Sequence, residues 1–575
     1  MGIKRLVIKE WKWLCMLIVA SIPVSYALIS SGFYEPHDLH HFADIYQMVR
    51  AIQSGQIPPR LAPDFSFGYG YPLFNYYYVM PFYLGSVFYF LFGSIQLSFK
   101  LVFFSSILIS VIGMYLFLRE FVGKWSAFSG SMLFLYTPYR AVEIYVRGAM
   151  GEAFALSLLP WVFWAVVKLV KNPKDFKIIG VTSLIIVVFT LSHNYLWAMS
   201  TPLMFLFVLM ISRKNNIKKR LLDLATAGFL SMGMTAYWWL PALVEKRLVA
   251  SDTPFPLIDH FPFIKQLIVP SWGYGSSVWG PGDGISFQIG IVNLAVFVFA
   301  VLVYLFRRKV IKKSIRRMLA WGLLSFMLCF VFMNIRTYPI WKLVPFHNLI
   351  QFPWRLLIFT TFVTSILAAL VVELTGKSKR LLVGSLVIIV AVFINYNYFR
   401  PSGIFYKTDN DYLARFFADR VIGGSKSDVS EEYIQWSEDY LLLPNWTDER
   451  PSTLPVSKVE ITDGEVIGVV EESSVSWSAE VVADKDTKVV FHSYYFPGWF
   501  ARVDGGISEI NPGKPYGQIE TQVSAGKHTI EFFWQETWFR RIADVISMIF
   551  ALLVIGIVSS LRLRIKVQRI MRHIY

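Results

Sequence analysis

Residues Gly32–Gly85 read GFYEPHDLHHFADIYQMVRAIQSGQIPPRLAPDFSFGYGYPLFNYYYVMPFYLG and follow the first long apolar segment of the chain. The stretch gathers acids, histidines and arginines beside a run of tyrosines, among them Glu35, Asp38, His40, His41, Asp44, Arg50, Arg60 and Asp64. Ionisable groups are costly next to hydrocarbon, so their concentration here predicts a functional site at a membrane surface.

The composition predicts a multi-pass membrane protein. Of 575 residues, 55% are hydrophobic and only 16% are charged, whereas soluble domains carry about 25% charged residues. The net charge of +16 does not indicate nucleic-acid binding, because the basic residues form short runs between apolar segments. Cys15 and Cys329 lie inside apolar segments and predict neither a disulfide framework nor a metal motif.

The apolar segments predict about twelve membrane spans, since a helix needs about 20 apolar residues to cross a ~30 Å hydrocarbon core. They are residues 12–31, 98–118, 125–138, 150–168, 178–193, 195–212, 221–243, 287–306, 318–334, 353–374, 381–398 and 542–561. The first segment lacks a small-residue cleavage site after it, so we expect an uncleaved anchor.

The orientation depends on residues 75–92, a further apolar segment rich in Tyr and Phe. If this segment lies in the interface, most Lys and Arg residues of the short loops fall on one side of the membrane. If it were a span, most of them would be exported, against the positive-inside rule. We therefore predict an interfacial or re-entrant helix here, with both termini cytoplasmic.

The pattern changes after the eleventh span. Short helices are predicted at residues 409–421 and 430–436, and about seven short strands with turn residues between them follow from Val456, which is typical of a β-sandwich. The predicted domains are a transmembrane domain (1–399) with its first outer loop (32–97), an extracytoplasmic domain (400–540), and a final helix with a basic tail (541–575). In the sandwich, Tyr494, Tyr495 and Trp499 are predicted either to bind glycan or to form core and interdomain contacts.

With this topology, further polar residues fall on the same outer side as Asp38: Arg147 and Glu152, His193 and Asn194, and Gln351, Trp354 and Arg355. A carboxylate there suits the general base that a hydroxyl acceptor requires. Arginine suits a departing phosphate, which it binds in bidentate geometry. The alternative is structural: each residue caps or snorkels from its own helix, and Arg147 pairs with Glu143 or Glu152.

Several motifs, in order along the chain, resemble one membrane family. They are PHDLHHF and the residues after it to Gly85, YVRGAMGE, SHN, PSWGYGSSVWGPGDGISFQIG, QFPWR, YYFPGWFARVDG and SAGKHTIEFFW. Together they resemble the polytopic family labelled as related to 6-pyruvoyl-tetrahydropterin synthase, which is similar to the C-type (GT-C) glycosyltransferases. The resemblance implies a mainly α, GT-C-like helical bundle that uses a polyprenyl-phosphate sugar donor.

By position, the resemblance implies that Asp38 is the catalytic carboxylate after the first span. The candidate substrate-binding residues are Glu35, His40, His41, Tyr69, Tyr71, Arg147, Glu152, His193, Asn194, Gln351, Trp354 and Arg355. Many members of the wider superfamily carry two acids separated by one residue, whereas two residues separate Glu35 from Asp38. Metal binding by a paired-acid motif is therefore not expected. His40 and His41 are two more candidate ligands for a metal ion such as Mg or Mn. Because no further ligand follows at a typical spacing, we expect them to hydrogen-bond or pack.

The leading hypothesis is a membrane glycosyltransferase that moves a sugar from a polyprenyl-phosphate carrier to an extracytoplasmic glycan, lipid or protein. Asp38 would be the general base; the sequence does not favour a cofactor, and a divalent metal ion (Mg or Mn) is kept as the alternative. The alternatives are a flippase for lipid-linked saccharides, for which related halves with discontinuous helices would be expected, and a non-catalytic envelope scaffold. The sequence has no such internal symmetry.

Overall fold

Helices dominate the computed structural model, which describes residues 3–212, 216–250, 255–344, 347–417 and 442–574. In chain order they are α1 (Ile3–Ser21), α2 (Tyr26–Ile29), α3 (His40–Gln53), α4 (Leu73–Tyr76), α5 (Met80–Phe92), α6 (Ile95–Leu118), α7 (Lys124–Leu135), α8 (Pro138–Ala141), a π-helix (Val142–Arg147), α9 (Met150–Lys171), α10 (Phe176–Thr190), α11 (Leu196–Ile211), α12 (Ile217–Met234), α13 (Ala236–Glu245), α14 (Ile264–Ile268), α15 (Ile291–Arg307), α16 (Lys313–Phe332), α17 (Tyr338–Trp341), α18 (Leu357–Leu374), α19 (Lys377–Asn395), α20 (Asp409–Leu413) and α21 (Trp538–Ile574).

Within the described residues, seven helical segments are long and apolar enough to cross a membrane. They are Glu10–Ile29, Ile95–Leu118, Met150–Lys171, Lys313–Phe332, Pro353–Leu374, Lys377–Tyr398 and Trp538–Ser559. Shorter apolar helices, α5, α10, α11 and α15, accompany them. A helix is present at each predicted span, so the mainly helical membrane fold is confirmed. The number of crossings stays a prediction, because α7, for example, has only 12 residues.

Helix α5 occupies the segment on which the orientation depends. Its 13 residues extend about 20 Å at 1.5 Å per residue, which is short of a ~30 Å hydrocarbon core. The helix ends at Gly93, whose φ of 71° is the left-handed conformation common at helix C-termini. This length agrees with a helix that does not cross, while its placement in the bilayer stays a prediction.

The segment after α19 fastens the first loop. Phe33 and Phe405 exchange backbone hydrogen bonds of 2.8 and 2.7 Å, as in an antiparallel bridge. The Glu35 carboxylate accepts hydrogen bonds from Lys407 at 3.1 Å and from Arg415 at 3.0 Å.

Of the helix predicted for residues 409–421, α20 ends at Leu413 and a turn follows. Its residues beyond 417, like the predicted helix 430–436, lie outside the described residues.

The C-terminal domain is a sandwich of two antiparallel sheets. Its strands are β1 (Val459–Ile461), β2 (Gly464–Ser473), β3 (Ser476–Ala483), β4 (Thr487–Tyr494), β5 (Trp499–Val503), β6 (Gly506–Ser508), β7 (Asn511–Pro512), β8 (Gln518–Val523) and β9 (Gly526–Trp534). One sheet has the order β1-β4-β8-β7 and the other β2-β3-β9-β5-β6. All seven predicted strands are present, and β6 and β7 are additional short strands.

Aromatic residues fill the space between the two sheets. Phe491 of β4 stacks on Phe532 of β9 with ring centroids 4.5 Å apart. Trp499 and Tyr494 are only 6% and 2% exposed, and Tyr494 also packs on Tyr69 of the first loop. These two residues therefore form core and interdomain contacts and do not offer an open face to a sugar ring.

Two buried arginines fasten the start of α21 to the membrane part. Arg60, in the first loop, donates to Glu536 and to Asp544, both at 2.9 Å. Arg540 donates two hydrogen bonds of 3.0 Å to the carboxylate of Glu245 at the end of α13. The first loop, α13 and the last helix thus form one buried polar network.

Candidate active site at one end of the helical bundle

Backbone pairing with the π-helix segment sets the position of Asp38. The amide of His37 donates to the carbonyl of Val146 at 3.0 Å, and the amide of Asp38 donates to the carbonyl of Arg147 at 2.7 Å. The Asp38 side chain remains 30% exposed, and its Oδ2 atom lies 3.8 Å from Nη2 of Arg147. The carboxylate therefore faces both solvent and a guanidinium group.

Gly148 allows this close approach of the two segments. Its φ of +67° is a left-handed conformation that residues with a side chain rarely adopt. A Cβ atom at this position would lie 2.4 Å from Cγ of Pro36, closer than side-chain atoms pack. The glycine therefore lets the Asp38 loop lie directly on the turn that carries Arg147.

Glu152, in the first turn of α9, is the centre of the cluster and is 2% exposed. Its Oε1 atom accepts a hydrogen bond from Nε of Arg355 at 2.8 Å and forms an ion pair with Nη1 of Arg147 at 2.9 Å. Arg147 Nη1 also lies 2.9 Å from Oε1 of Glu143, and Tyr139 donates to Oε2 of Glu152 at 3.4 Å. Both pairings that the sequence suggests for Arg147 are thus present together.

The QFPWR segment supplies Arg355 from the start of α18. A 3₁₀-helix, Pro353–Leu356, begins with a proline at a position where an amide proton is not needed, and it leads into the helix. Gln351 has a φ of 60°, and its side-chain oxygen accepts from both terminal nitrogens of Arg355 at 3.4 Å. Trp354 is 2% exposed and lies under Arg147, whose guanidinium carbon is 4.6 Å from the indole centroid.

His193 lies in the turn between α10 and α11, next to Glu152. Its Nδ1 atom accepts from the amide of Tyr195 at 3.2 Å, so the neutral ring carries its proton on Nε2, which is 3.9 Å from Glu152 Oε1. Neighbouring Asn194 donates to the carbonyl of Tyr76 at 3.0 Å and so fastens this turn to the first loop.

A chain of hydrogen bonds joins α3 to the start of α9. The amide of Gly151 donates to the Tyr78 hydroxyl at 3.2 Å, and this hydroxyl lies 2.9 Å from Nε2 of His41. Nδ1 of His41 is in turn 3.0 Å from Oδ2 of Asp44. The Tyr78 ring also stacks on His193 with centroids 5.7 Å apart. His41 and its neighbour His40 therefore lie beside the Glu152 cluster, one aromatic ring away.

Three predicted residues lie elsewhere. Glu35 is held by Lys407 and Arg415, away from Glu152. Tyr69 contacts the β-domain, where its hydroxyl is 2.8 Å from Nδ1 of His492. Tyr71 pairs through its backbone with Ala62 inside the first loop. These contacts are with other parts of the chain than Glu152, and a role of the three residues in substrate binding stays a prediction.

Sequence reasoning missed Tyr78 and Tyr139, which complete the hydrogen bonding around His41 and Glu152. Tyrosines are frequent throughout this apolar chain, so neither residue stands out by type or spacing. Asp44 carried a usable signal, because positions three and four residues apart share a helix face and His40, His41 and Asp44 have that spacing.

Two comparisons at the sequence level bear on the identity of the chain. The model of the membrane-protein family described as 6-pyruvoyl-tetrahydropterin synthase related domain matches residues 74–400, more than half of the chain. The chain belongs to this family. An uncharacterized protein of Lactococcus lactis subsp. cremoris is 23% identical over 349 residues. That match covers 58% of this member of the pterin-synthase-related family and 55% of the relative, so it spans about half of the relative's length.

Three solved structures have partly similar folds. Against a mutant of the mycobacterial arabinofuranosyltransferase AftD, the TM-score is 0.47 at 13% identity, covering 72% of this chain and 30% of that one. Against the apo oligosaccharyltransferase of Archaeoglobus fulgidus it is 0.44 at 12% identity, covering 78% and 61%. Against ArnT of Cupriavidus metallidurans bound to undecaprenyl phosphate it is 0.31 at 12% identity, covering 64% and 78%. Such low TM-scores carry no argument about the activity of this family member.

Proposed function

We propose that this protein is a membrane glycosyltransferase that moves a sugar from a polyprenyl-phosphate donor to an extracytoplasmic glycan, lipid or protein. The observation that supports it best is the convergence of Asp38, Arg147 and Arg355, which come from three distant parts of the chain, around buried Glu152. The motif resemblance supports the reaction class, and the cluster supports the choice of residues.

Asp38 is the proposed general base. It is 30% exposed, whereas Glu152 and Glu143 are buried and hydrogen-bonded to guanidinium groups. The 3.8 Å between Asp38 and Arg147 exceeds a hydrogen bond, so the carboxylate oxygens remain able to accept from an acceptor hydroxyl. A base positioned in this way contributes about 10²–10⁴-fold to a proton-transfer step.

Arg147 and Arg355 are the proposed phosphate ligands. Glu152 holds Nη1 of Arg147 and Nε of Arg355 at 2.9 and 2.8 Å. The Nη2 atoms make only longer contacts, 3.8 Å to Asp38 for Arg147 and 3.4 Å to Gln351 for Arg355, which a phosphate oxygen would replace. A phosphate has oxygens to satisfy these donors in a fork-like geometry. His193 adds a further hydrogen-bond donor through Nε2, because its Nδ1 accepts from the amide of Tyr195.

The proposed topology puts this site on the outer side of the membrane. The transmembrane domain is residues 1–399, with the first outer loop (32–97) outside and both termini cytoplasmic. The β-domain (400–540) lies outside, and residues 541–575 return the chain through the membrane. Basic residues at the opposite helix ends, such as Arg119 after α6 and Lys124 at the start of α7, support this orientation.

Asp38→Asn tests the proposal in a reconstituted assay with polyprenyl-phosphate-linked sugars and the purified full chain. We expect transfer to fall by about 10² or more while donor binding is retained. Asp64→Asn is the matched control, because Asp64 lies in the same loop but pairs with Arg50 and Gln47 near the β-domain. Full transfer by folded Asp38→Asn would overturn the assignment of the base.

Two further variants test the assignment of the phosphate ligands: Arg147→Gln and Arg355→Gln. Each should weaken donor binding, measured by displacement of a labelled polyprenyl phosphate. Movement of an intact lipid-linked sugar across vesicles without transfer would favour the flippase alternative. Retention of all cellular function in the Asp38 and Arg355 variants, with its loss on deletion of the β-domain, would favour a scaffold.

A further inference from the structure

We propose that His40, His41 and Asp44 bind a divalent transition-metal ion of the zinc class, at a site separate from the Asp38 cluster. All three residues lie in the first two turns of α3. His40 Nε2 is 3.9 Å and His41 Nδ1 is 3.0 Å from Oδ2 of Asp44. The three ligand atoms lie within 4.8 Å of one another.

The distances are close to those of a coordination shell. Zinc binds nitrogen and carboxylate oxygen at about 2.0–2.2 Å, so two ligand atoms on a tetrahedral ion are about 3.4 Å apart. The observed separations of 3.0 and 3.9 Å lie on either side of this value. The third separation, between the ligand atoms of His40 and His41, is at most 4.8 Å.

The donor set and its burial also suit a metal. Two imidazoles and one carboxylate, with an open fourth position, form the His₂-carboxylate set found at zinc and non-haem iron centres. The carboxylate of Asp44 and the ring of His41 are almost fully buried, where an ion compensates the charge that burial penalises. The side chain of His40 keeps 14% exposure and provides an entry path.

Tyr78 provides the outer hydrogen bond that such a site requires. A metal-bound histidine usually donates its second ring N–H to a fixed acceptor, which orients the ring. With the ion on Nδ1 of His41, the proton moves to Nε2, which donates to the Tyr78 hydroxyl oxygen 2.9 Å away. Since Tyr78 stacks on His193, the ion would lie beside the Glu152 cluster. A bound ion would therefore position Tyr78 and the start of α9.

The test measures metal binding by the purified full chain in detergent, without any sugar substrate. After removal of metals with a chelator, the protein is titrated with Zn²⁺ by equilibrium dialysis and with Co²⁺ by visible absorption. We expect about one equivalent of either ion per chain, with an affinity reduced by about tenfold or more in His40→Ala and Asp44→Asn. His41→Ala would also remove the hydrogen bond with Tyr78, so a loss of metal in that variant would not separate binding from folding. The side chain of His40 is partly exposed, so His40→Ala is the variant that reports on metal binding.

His528→Ala is the matched control, because His528 forms an imidazole–carboxylate pair with Asp504 in the distant β-domain. Its metal stoichiometry should equal that of the unaltered chain. Absence of saturable binding, equal binding by His40→Ala and Asp44→Asn, or loss of the ion in His528→Ala would each overturn the proposal. Because the readout is metal content, it is independent of the outcome of the Asp38→Asn transfer assay.

Discussion

Arg355 donates a hydrogen bond from Nε to Oε1 of Glu152 at 2.8 Å and so joins two buried side chains 203 positions apart in the chain. Removal of one partner from such a pair leaves an uncompensated buried charge and costs about 3–5 kcal/mol. We expect Glu152→Ala and Arg355→Met each to lower the free energy of unfolding by this order, measured by thermal or denaturant unfolding in detergent. The double variant should lose less than the sum of the two. Additive losses would mean that the two side chains do not stabilise each other.

Gly148→Ala tests the contact between the Asp38 loop and the π-helix. The left-handed φ and the 2.4 Å approach to Pro36 are both unfavourable for alanine, so we expect a loss of about 1–3 kcal/mol and weaker donor binding. Gly228→Ala is the control, since Gly228 lies inside α12 with open space around it and alanine favours a helix by about 1 kcal/mol. Equal stability of the two variants would contradict the role given to Gly148.

The hydrogen bonds that Glu35 accepts from Lys407 and Arg415 predict that the protein loses folding stability in acid. Burial alone would raise its pKa, but the hydrogen bonds from Arg415 and Lys407 lower the pKa below its ordinary value of 4.5. A lowered folded pKa means that the stabilisation is present above 4.5 and is lost as the pH falls through the folded value. The melting temperature of Glu35→Gln should therefore change less with pH in this window. The exposed Glu465→Gln should retain the acid dependence of the unaltered chain.

The pair of His528 and Asp504 at the β-domain surface predicts the opposite pH dependence of stability, with a loss as the pH rises. The hydrogen bond with Asp504, 2.7 Å from Nδ1, raises the pKa of His528 above its ordinary value of 6.5, and the Ser524 carbonyl contributes further. The stabilisation is fully present below 6.5 and is lost as the pH rises through the folded value. Asp504→Asn should flatten this dependence in a pH series of melting temperatures. An unchanged slope would show that the pair is not coupled to folding.

Much of the outline was predictable because the membrane leaves few alternatives for an apolar chain. The strands from Val459 to Trp534 were found because alternation and turn residues mark each one locally. The number of predicted spans between them puts three residues on the same side of the membrane: Asp38, Arg147 and Arg355. The structure brings these three residues together around Glu152.

The finer chemistry was not predictable, because it depends on contacts between distant segments. Tyr69 contacts His492 of the β-domain and Tyr71 forms a backbone bridge with Ala62, and no local pattern in the sequence indicates either contact. Glu35 is close to Asp38 in sequence, yet Arg415, 380 positions later, binds it. No local spacing indicates which of two neighbouring acids faces a cluster and which one fastens a loop.

The arginine network around Arg60 and Arg540 has a consequence for biosynthesis. The first loop leaves the ribosome early, but Glu536, Arg540 and Asp544 are made hundreds of residues later. Until they arrive, Arg60 and Glu245 are charged groups without their final partners. Maturation of the first loop is therefore expected to follow synthesis of the last helix, so that a chain interrupted before Trp538 would remain a substrate for quality control in the membrane.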